Sequence, residues 1–167
     1  GISIYMAYYA GKSYSPLKSL INLMAAIPSV VYGFFAMMIM VPIVKDLFHT
    51  RSGMNMLTAS LLLAIMILPT MINISENSLR QVPLTFYQGS LALGATKEET
   101  IHNVMIPYAK SGIFSSIILA IGRAIGETMA VYLVVGNQPR MPGSLLDGAR
   151  TLTTNIVLEM GYASGLH

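Results

Sequence analysis

The chain has 167 residues, 54% hydrophobic and 10% charged, with a formal net charge of +3 and a pI near 9.2, whereas soluble domains carry about 25% charged residues. That excludes an ordinary cytosolic protein. With no cysteine there is no disulfide framework, thiol nucleophile or iron–sulfur cluster, and the three scattered histidines, His49, His102 and His167, do not make a metal site by themselves. The ten Lys and Arg residues stand singly along the chain instead of clustering in one segment, so membrane location explains the basic balance better than nucleic acid.

In chain order, Ile2 to Ala10 is an apolar stub too short to cross a bilayer, followed by a turn at Gly11, Lys12, Ser13 and Ser15-Pro16. Ser19 to Val44 and Ser52 to Ser75 carry no charge, and each exceeds the roughly 20 residues that span a membrane. We expect a first span over Leu17 to Leu47, bent by Pro28 and Pro42, and a second over Asn55 to Ser75 containing Pro69, joined by a polar turn from Lys45 to Gly53. Glu76 to Lys110 turns polar and is expected in water or at an interface. Thr85 with Gln88, and Thr96 with Glu99, have the form of capping boxes, predicting two short helices parted by a turn at Gly94, the second ending before Pro107. Ile101, Val104 and Met105 lie at i, i+3 and i+4 and give that second helix one apolar face.

A third span is expected over Ser111 to Gly136, then a turn-rich segment, Asn137 to Gly148, and a further weakly amphipathic helix from Arg150 to His167. The chain starts at Gly1 without an initiator Met and ends in an incomplete helical pattern, so it reads as an internal piece of a longer membrane protein. Lys12, Lys18, Arg80, Lys97 and Lys110 on one side balance Lys45, Arg51, Arg140 and Arg150 on the other. Charge counting therefore leaves the orientation open.

Arg123 and Glu127 interrupt the third span at a spacing that stacks them on one helix face. A charge at the bilayer centre costs at least roughly 2.5 to 3.5 kcal/mol, so the pair is expected to face inward, either as a polar station on a solute pathway or as an ion pair that fixes packing. Gly122 with Gly126, and Ala120 with Ala124, repeat small residues at four-residue spacing and suggest close helix packing beside that face. The thirteen methionines form no clustered ladder and read as apolar filling. Asn73-Ile74-Ser75 matches a glycosylation triplet by chance. The chain holds no P-loop, zincin or serine-hydrolase motif, and Asp46 and Asp147 fall in loops, so no enzyme signature and no cofactor is called for.

The stretch Gln88-Gly89-Ser90-Leu91-Ala92-Leu93-Gly94-Ala95-Thr96, with Ile106-Pro107 beyond it, resembles the E-A-A loop of ABC-importer permeases; Gln88, Gly89 and Ser90 stand where Glu, Ala and Ala are usual. Ile27-Pro28-Ser29-Val30-Val31-Tyr32-Gly33-Phe34-Phe35, Ile67-Leu68-Pro69-Thr70, Ile74-Ser75-Glu76 and Gly122-Arg123-Ala124-Ile125-Gly126-Glu127-Thr128-Met129-Ala130 extend the likeness over nearly the whole chain. Together they resemble phosphate ABC-importer permeases of the PstC type, among the binding-protein-dependent transport system inner membrane components, with the PstA type second.

The resemblance implies an all-α polytopic bundle of the type I importer kind over residues 1–167, truncated at both ends, with a cytoplasmic coupling loop over 76–110. It implies ATPase contact through Gln88, Gly89, Ser90, Gly94 and Pro107, and a phosphate pathway at Arg123 and Glu127. Its implied partners are ABC ATPase subunits, a second PstA-like permease, a periplasmic or lipid-anchored phosphate-binding protein and the lipid bilayer of a bacterial cell membrane. ATP hydrolysis would belong to a separate subunit. Sulfate or molybdate permeases share the loop, and a passive channel or a non-transporting scaffold are the competing classes.

Overall fold

The computed structural model describes residues 1–160 and 162. These form helices joined by turns, with a lone parallel bridge between Gly136 and Ala149. The helices are α1 (Ile2–Tyr8), α2 (Tyr14–Ala26), α3 (Ser29–Phe48), α4 (Met56–Arg80), α5 (Leu84–Ala92), α6 (Lys97–Tyr108), α7 (Lys110–Gly126), α8 (Met129–Val134) and α9 (Leu152–Glu159). By length and composition α3 and α4 can each cross a bilayer, and α6 with α7, bent by 64°, make a further candidate.

The expected first span is divided. Pro28 is extended at φ −58, ψ 143 and caps α3, because its ring pushes Ile27 out of the helical region and it has no N–H to continue the ladder of α2. The spanning helix therefore begins at Ser29, not Leu17. The expected third span is divided as well, since α7 ends at Gly126 and α8 starts at Met129.

Pro42 and Pro107, by contrast, lie inside continuous helices. A wide π turn precedes each, Ala36–Met40 before Val41-Pro42 and Ile101–Met105 before Ile106-Pro107. An interior proline removes a hydrogen bond and crowds the carbonyl four residues back; a widened turn at that carbonyl gives the ring room. This is why the helix expected to stop before Pro107 runs on to Tyr108. Of the helix expected from Arg150 to His167, Leu152–Glu159 is formed, and residues 161 and 163–167 lie outside the described residues.

The chain divides into two compact units, Gly1–Ala25 with Ile67–Gly122 and Ala26–Met66 with Arg123–His167. In the first, Leu79, Val82, Met105 and Ala109 form one buried cluster, with Tyr8 and Tyr87 packed against it, and Met6, Ile21 and Ile72 form another. In the second, Ala59, Leu62 and Met66 of α4 pack with Ala36 of α3 and with Ala130, Val131 and Val134 of α8. Small residues permit that approach: a Cβ on Gly33 would lie 2.8 Å from the Ala130 Cα. The α3 side chains Val30, Phe34, Met38, Ile39, Ile43 and Leu47 are exposed, as a lipid-facing helix requires.

Candidate functional site

The hairpin of α5 and α6 is built by local chemistry. Pro83 caps α5, so the helix opens at Leu84 and the expected Thr85–Gln88 capping box does not form. Gly94 then turns the chain at φ 91, a conformation that L side chains rarely adopt. The Thr96–Glu99 capping box does form: the Glu99 amide donates to Thr96 Oγ1 (3.3 Å) and the Thr96 amide donates to Glu99 Oε2 (2.8 Å). The Thr96 amide, with the Thr96 hydroxyl that also donates to Oε2 at 2.9 Å, holds the Glu99 carboxyl below its ordinary range. Ser90 Oγ and Thr100 Oγ1, 2.9 Å apart, close the two helices on each other.

The α6 face expected to be apolar is real, with Ile101 and Met105 buried and Val104 half-buried. Beneath it, Lys97 Nζ donates to the Tyr8 carbonyl at 2.7 Å and lies over the Tyr9 ring, and Tyr87 stacks on Tyr8. The outer surface is unexpectedly apolar. Leu93, beside the Gly94 turn, is 91% exposed, and Leu84, Phe86 and Tyr108 are exposed with it. Gln88, Gly89 and Pro107 share that exposure, whereas Ser90 is half-buried in the hairpin contact.

Arg123 and Glu127 fall in the second unit, on different local structure. Arg123 is exposed in the last turn of α7, and Glu127 is half-buried in the break before α8, so the pair does not stack along one unbroken helix. Glu127 Oε1 accepts from the Ala130 amide at 3.3 Å, and its carbonyl accepts from the Thr153 hydroxyl at 3.2 Å. Its carboxylate thus serves as a cap on the first turn of α8. Among the described residues nothing lies within 4 Å of a Cβ built on Gly122 or Gly126, so the expected close packing on those glycines is not formed there.

A third polar group escaped the sequence reading. Glu76, expected in water or at an interface, is fully buried in α4. Lys18 Nζ of α2 lies 2.5 Å from its Oε2, and Arg80 Nε, one turn on, 2.7 Å from its Oε1. Lys18 also donates to Asn73, Asn73 to Asn22, and Arg80 to the Met6 carbonyl while covering the Tyr14 ring at 4.3 Å. The signal was present in the spacing: Ile72, Glu76 and Leu79 share one helix face, and both apolar members are buried.

The sequence profile of the binding-protein-dependent transport system inner membrane components matches residues 1–163. The chain is 39% identical over 148 residues to the probable ABC transporter permease protein YqgH of Bacillus subtilis (strain 168), covering 89% of this chain and 48% of that protein. It is 33% identical over 177 residues to the phosphate transport system permease protein PstC 2 of Mycobacterium bovis, covering 93% and 54%. Against the phosphate transport system permease protein PstC of Haemophilus influenzae it is 31% identical over 186 residues, covering 99% and 59%. The chain thus spans about half the length of the curated relatives it matches.

Proposed function

The chain belongs to the binding-protein-dependent transport system inner membrane components, and from that membership we propose that it forms the core of a permease that carries inorganic phosphate across the membrane, driven by a separate ATPase. The observation that carries the reading is the α5–α6 hairpin. It is a rigid, internally capped knob whose tip exposes Leu93 and whose flank exposes Leu84 and Phe86, and an apolar surface on a polar loop is a docking surface. A partner that engages Gln88, Gly89, Gly94 and Pro107 on that knob can move it as one body, and Lys97, held to Tyr8, passes the motion to α1.

In this reading the hairpin faces the cytoplasm and the ATPase, and a PstA-like permease and an external phosphate-binding protein complete the assembly. Arg123 gives the pathway its attraction for an oxyanion, since its planar donors stay charged at all working pH values. Glu127, fixed as a cap at the α7–α8 break, limits that attraction so that the anion leaves again. Phosphate is the substrate on the strength of the two relatives named for phosphate transport.

The test is uptake by the full-length transporter with its ATPase and binding protein in vesicles, comparing phosphate, sulfate and molybdate. ATP-dependent phosphate accumulation is the expected result. Accumulation of sulfate or molybdate in its place would reassign the substrate, and phosphate flux without ATP would make the chain a passive channel.

A further inference from the structure

A second basic site lies in the second unit, away from Arg123 and Glu127 in sequence. The turn before α4 and the segment after α8 enclose a cavity of about 390 Å³ whose polar wall comprises Thr50, Arg51, Ser52, Gln138, Arg140 and Asp147. The two walls are tied by main-chain hydrogen bonds, Met56 N to Asp147 O at 3.0 Å and Leu57 N to Leu145 O at 2.8 Å. They also approach closely, since Gly136 at φ 84 leaves room for a Cβ only 2.8 Å from the Met54 carbonyl oxygen.

Arg51 and Arg140 are both exposed, and among the described residues neither makes a hydrogen bond or ion pair. Arg150 nearby is different, bound to Glu159 at 3.0 Å and to Asn155 at 3.2 Å. The carboxylate in the wall, Asp147, turns its Oδ2 to the amides of Gly143 and Ser144 at 2.9 and 3.0 Å. One carboxylate so occupied leaves two guanidiniums on one cavity with positive charge in excess. Ser52 Oγ accepts from the Met54 amide, which leaves its hydroxyl proton to donate, and Gln138 adds an amide. Planar, permanently charged donors ringed by neutral ones fit a small tetrahedral oxyanion.

We propose that this cavity is a receiving site for a small tetrahedral oxyanion. Arg51 and Ser52 belong to the turn between α3 and α4, and Gln138 and Arg140 to the segment after α8, so the cavity is built within the second unit alone. The choice of phosphate as probe rests on the function proposed above; the site itself does not.

The test modifies the unsubstituted full-length transporter in vesicles with phenylglyoxal, which attacks unprotected guanidiniums, and reads adducts at Arg51, Arg140 and Arg150 by mass spectrometry. Inorganic phosphate should slow labelling of Arg51 and Arg140 together and leave Arg150 unchanged, with chloride at matched ionic strength ineffective. In the Arg140→Gln protein the phosphate concentration that half-protects Arg51 should rise about tenfold. Absent protection, equal protection by chloride, protection only when the binding protein is present, or an unaltered Arg51 response in that variant each overturns the site. Protection by sulfate alone, with no phosphate uptake by the same vesicles, supports the site while overturning the phosphate reading.

Discussion

Lys18 Nζ stands 2.5 Å from Glu76 Oε2, joining α2 to α4 across 58 residues of sequence. The carboxylate has no exposed surface, whereas the Lys18 and Arg80 side chains are 22% and 43% exposed. The acid is therefore the buried member, and the two bases reach it from partly wetted positions.

Removing the buried member should cost most. Glu76→Ala deprives Lys18 and Arg80 of their shared counter-ion and opens a hole in α4, and breaking such a pair costs about 3 to 5 kcal/mol. Lys18→Met should cost less, because Arg80 still pairs with Glu76. Thermal unfolding of the full-length protein in detergent checks the order, and a Lys18→Met loss as large as that of Glu76→Ala would contradict it.

At Gly94 the constraint is the backbone alone, since φ is 91 and no atom lies within 4 Å of a Cβ built there. Gly94→Val should strain the hairpin by about 1 to 3 kcal/mol, whereas Gly94→Asn, which enters positive φ more readily, should be milder. Co-purification of the ATPase with each variant is the measurement. Equal retention of both at the wild-type level would remove Gly94 from the coupling surface.

Glu127 has a capping role and a proposed pathway role, and two substitutions separate them. Glu127→Gln keeps an acceptor for the Ala130 amide and removes the charge; Glu127→Leu removes both, at the cost of about 1 kcal/mol for a lost cap. With Arg123→Leu added to Glu127→Leu, a pair that merely packs should leave uptake near normal. We expect phosphate uptake at matched membrane abundance to fail in the double variant, and to fall in Glu127→Gln although assembly persists.

Acid should loosen the hairpin only at low pH. The bonds from Thr96 depress the Glu99 pKa, so the cap is fully present above the ordinary glutamate value of about 4.3 and is lost as pH falls through the lowered one. Amide protection at Lys97 to Thr100, taken relative to the intrinsic exchange rate at each pH, should be flat from neutrality down to the ordinary glutamate range and fall beneath it. Glu99→Gln should abolish that pH dependence while keeping much of the cap.

Sequence reasoning reached the helical class, the apolar spans and the glycine-turned hairpin because each is written in neighbouring residues: charge-free runs, the Thr96–Glu99 box, Gly94. Glu76 was misread because four of the five residues at the C-terminal end of α4, Glu76–Arg80, are polar, yet they continue a helix whose buried face is set by Ile72 and Leu79. Its partner Lys18 is remote in sequence, so the pairing had no local signature. The α7–α8 break followed the same pattern, since Glu127-Thr128 lies in an apolar run and the bond its carbonyl accepts from Thr153 is tertiary. The division at Pro28 and the continuity at Pro42, Pro69 and Pro107 show proline acting in opposite senses, with a widened turn before Pro42 and Pro107 and none before Pro69.

Those two widened turns each hold one residue more than an α-helix of equal rise. Each is thus a single-residue insertion absorbed within one turn, so the side chains beyond it keep the heading they would have without the extra residue. Deleting one residue from Ala36–Met40 would tighten the turn to α geometry and return Pro42 to a collision with the carbonyl behind it, whereas a deletion in the α-helical part of α3 would swing the side chains on one side of it by about 100° around the axis. Length variation should therefore be tolerated best in the turn between α3 and α4, and a one-residue deletion scan from Val30 to Ser52, read by membrane abundance, should show its deepest losses at Val30–Phe35 and milder ones at Ala36–Met40.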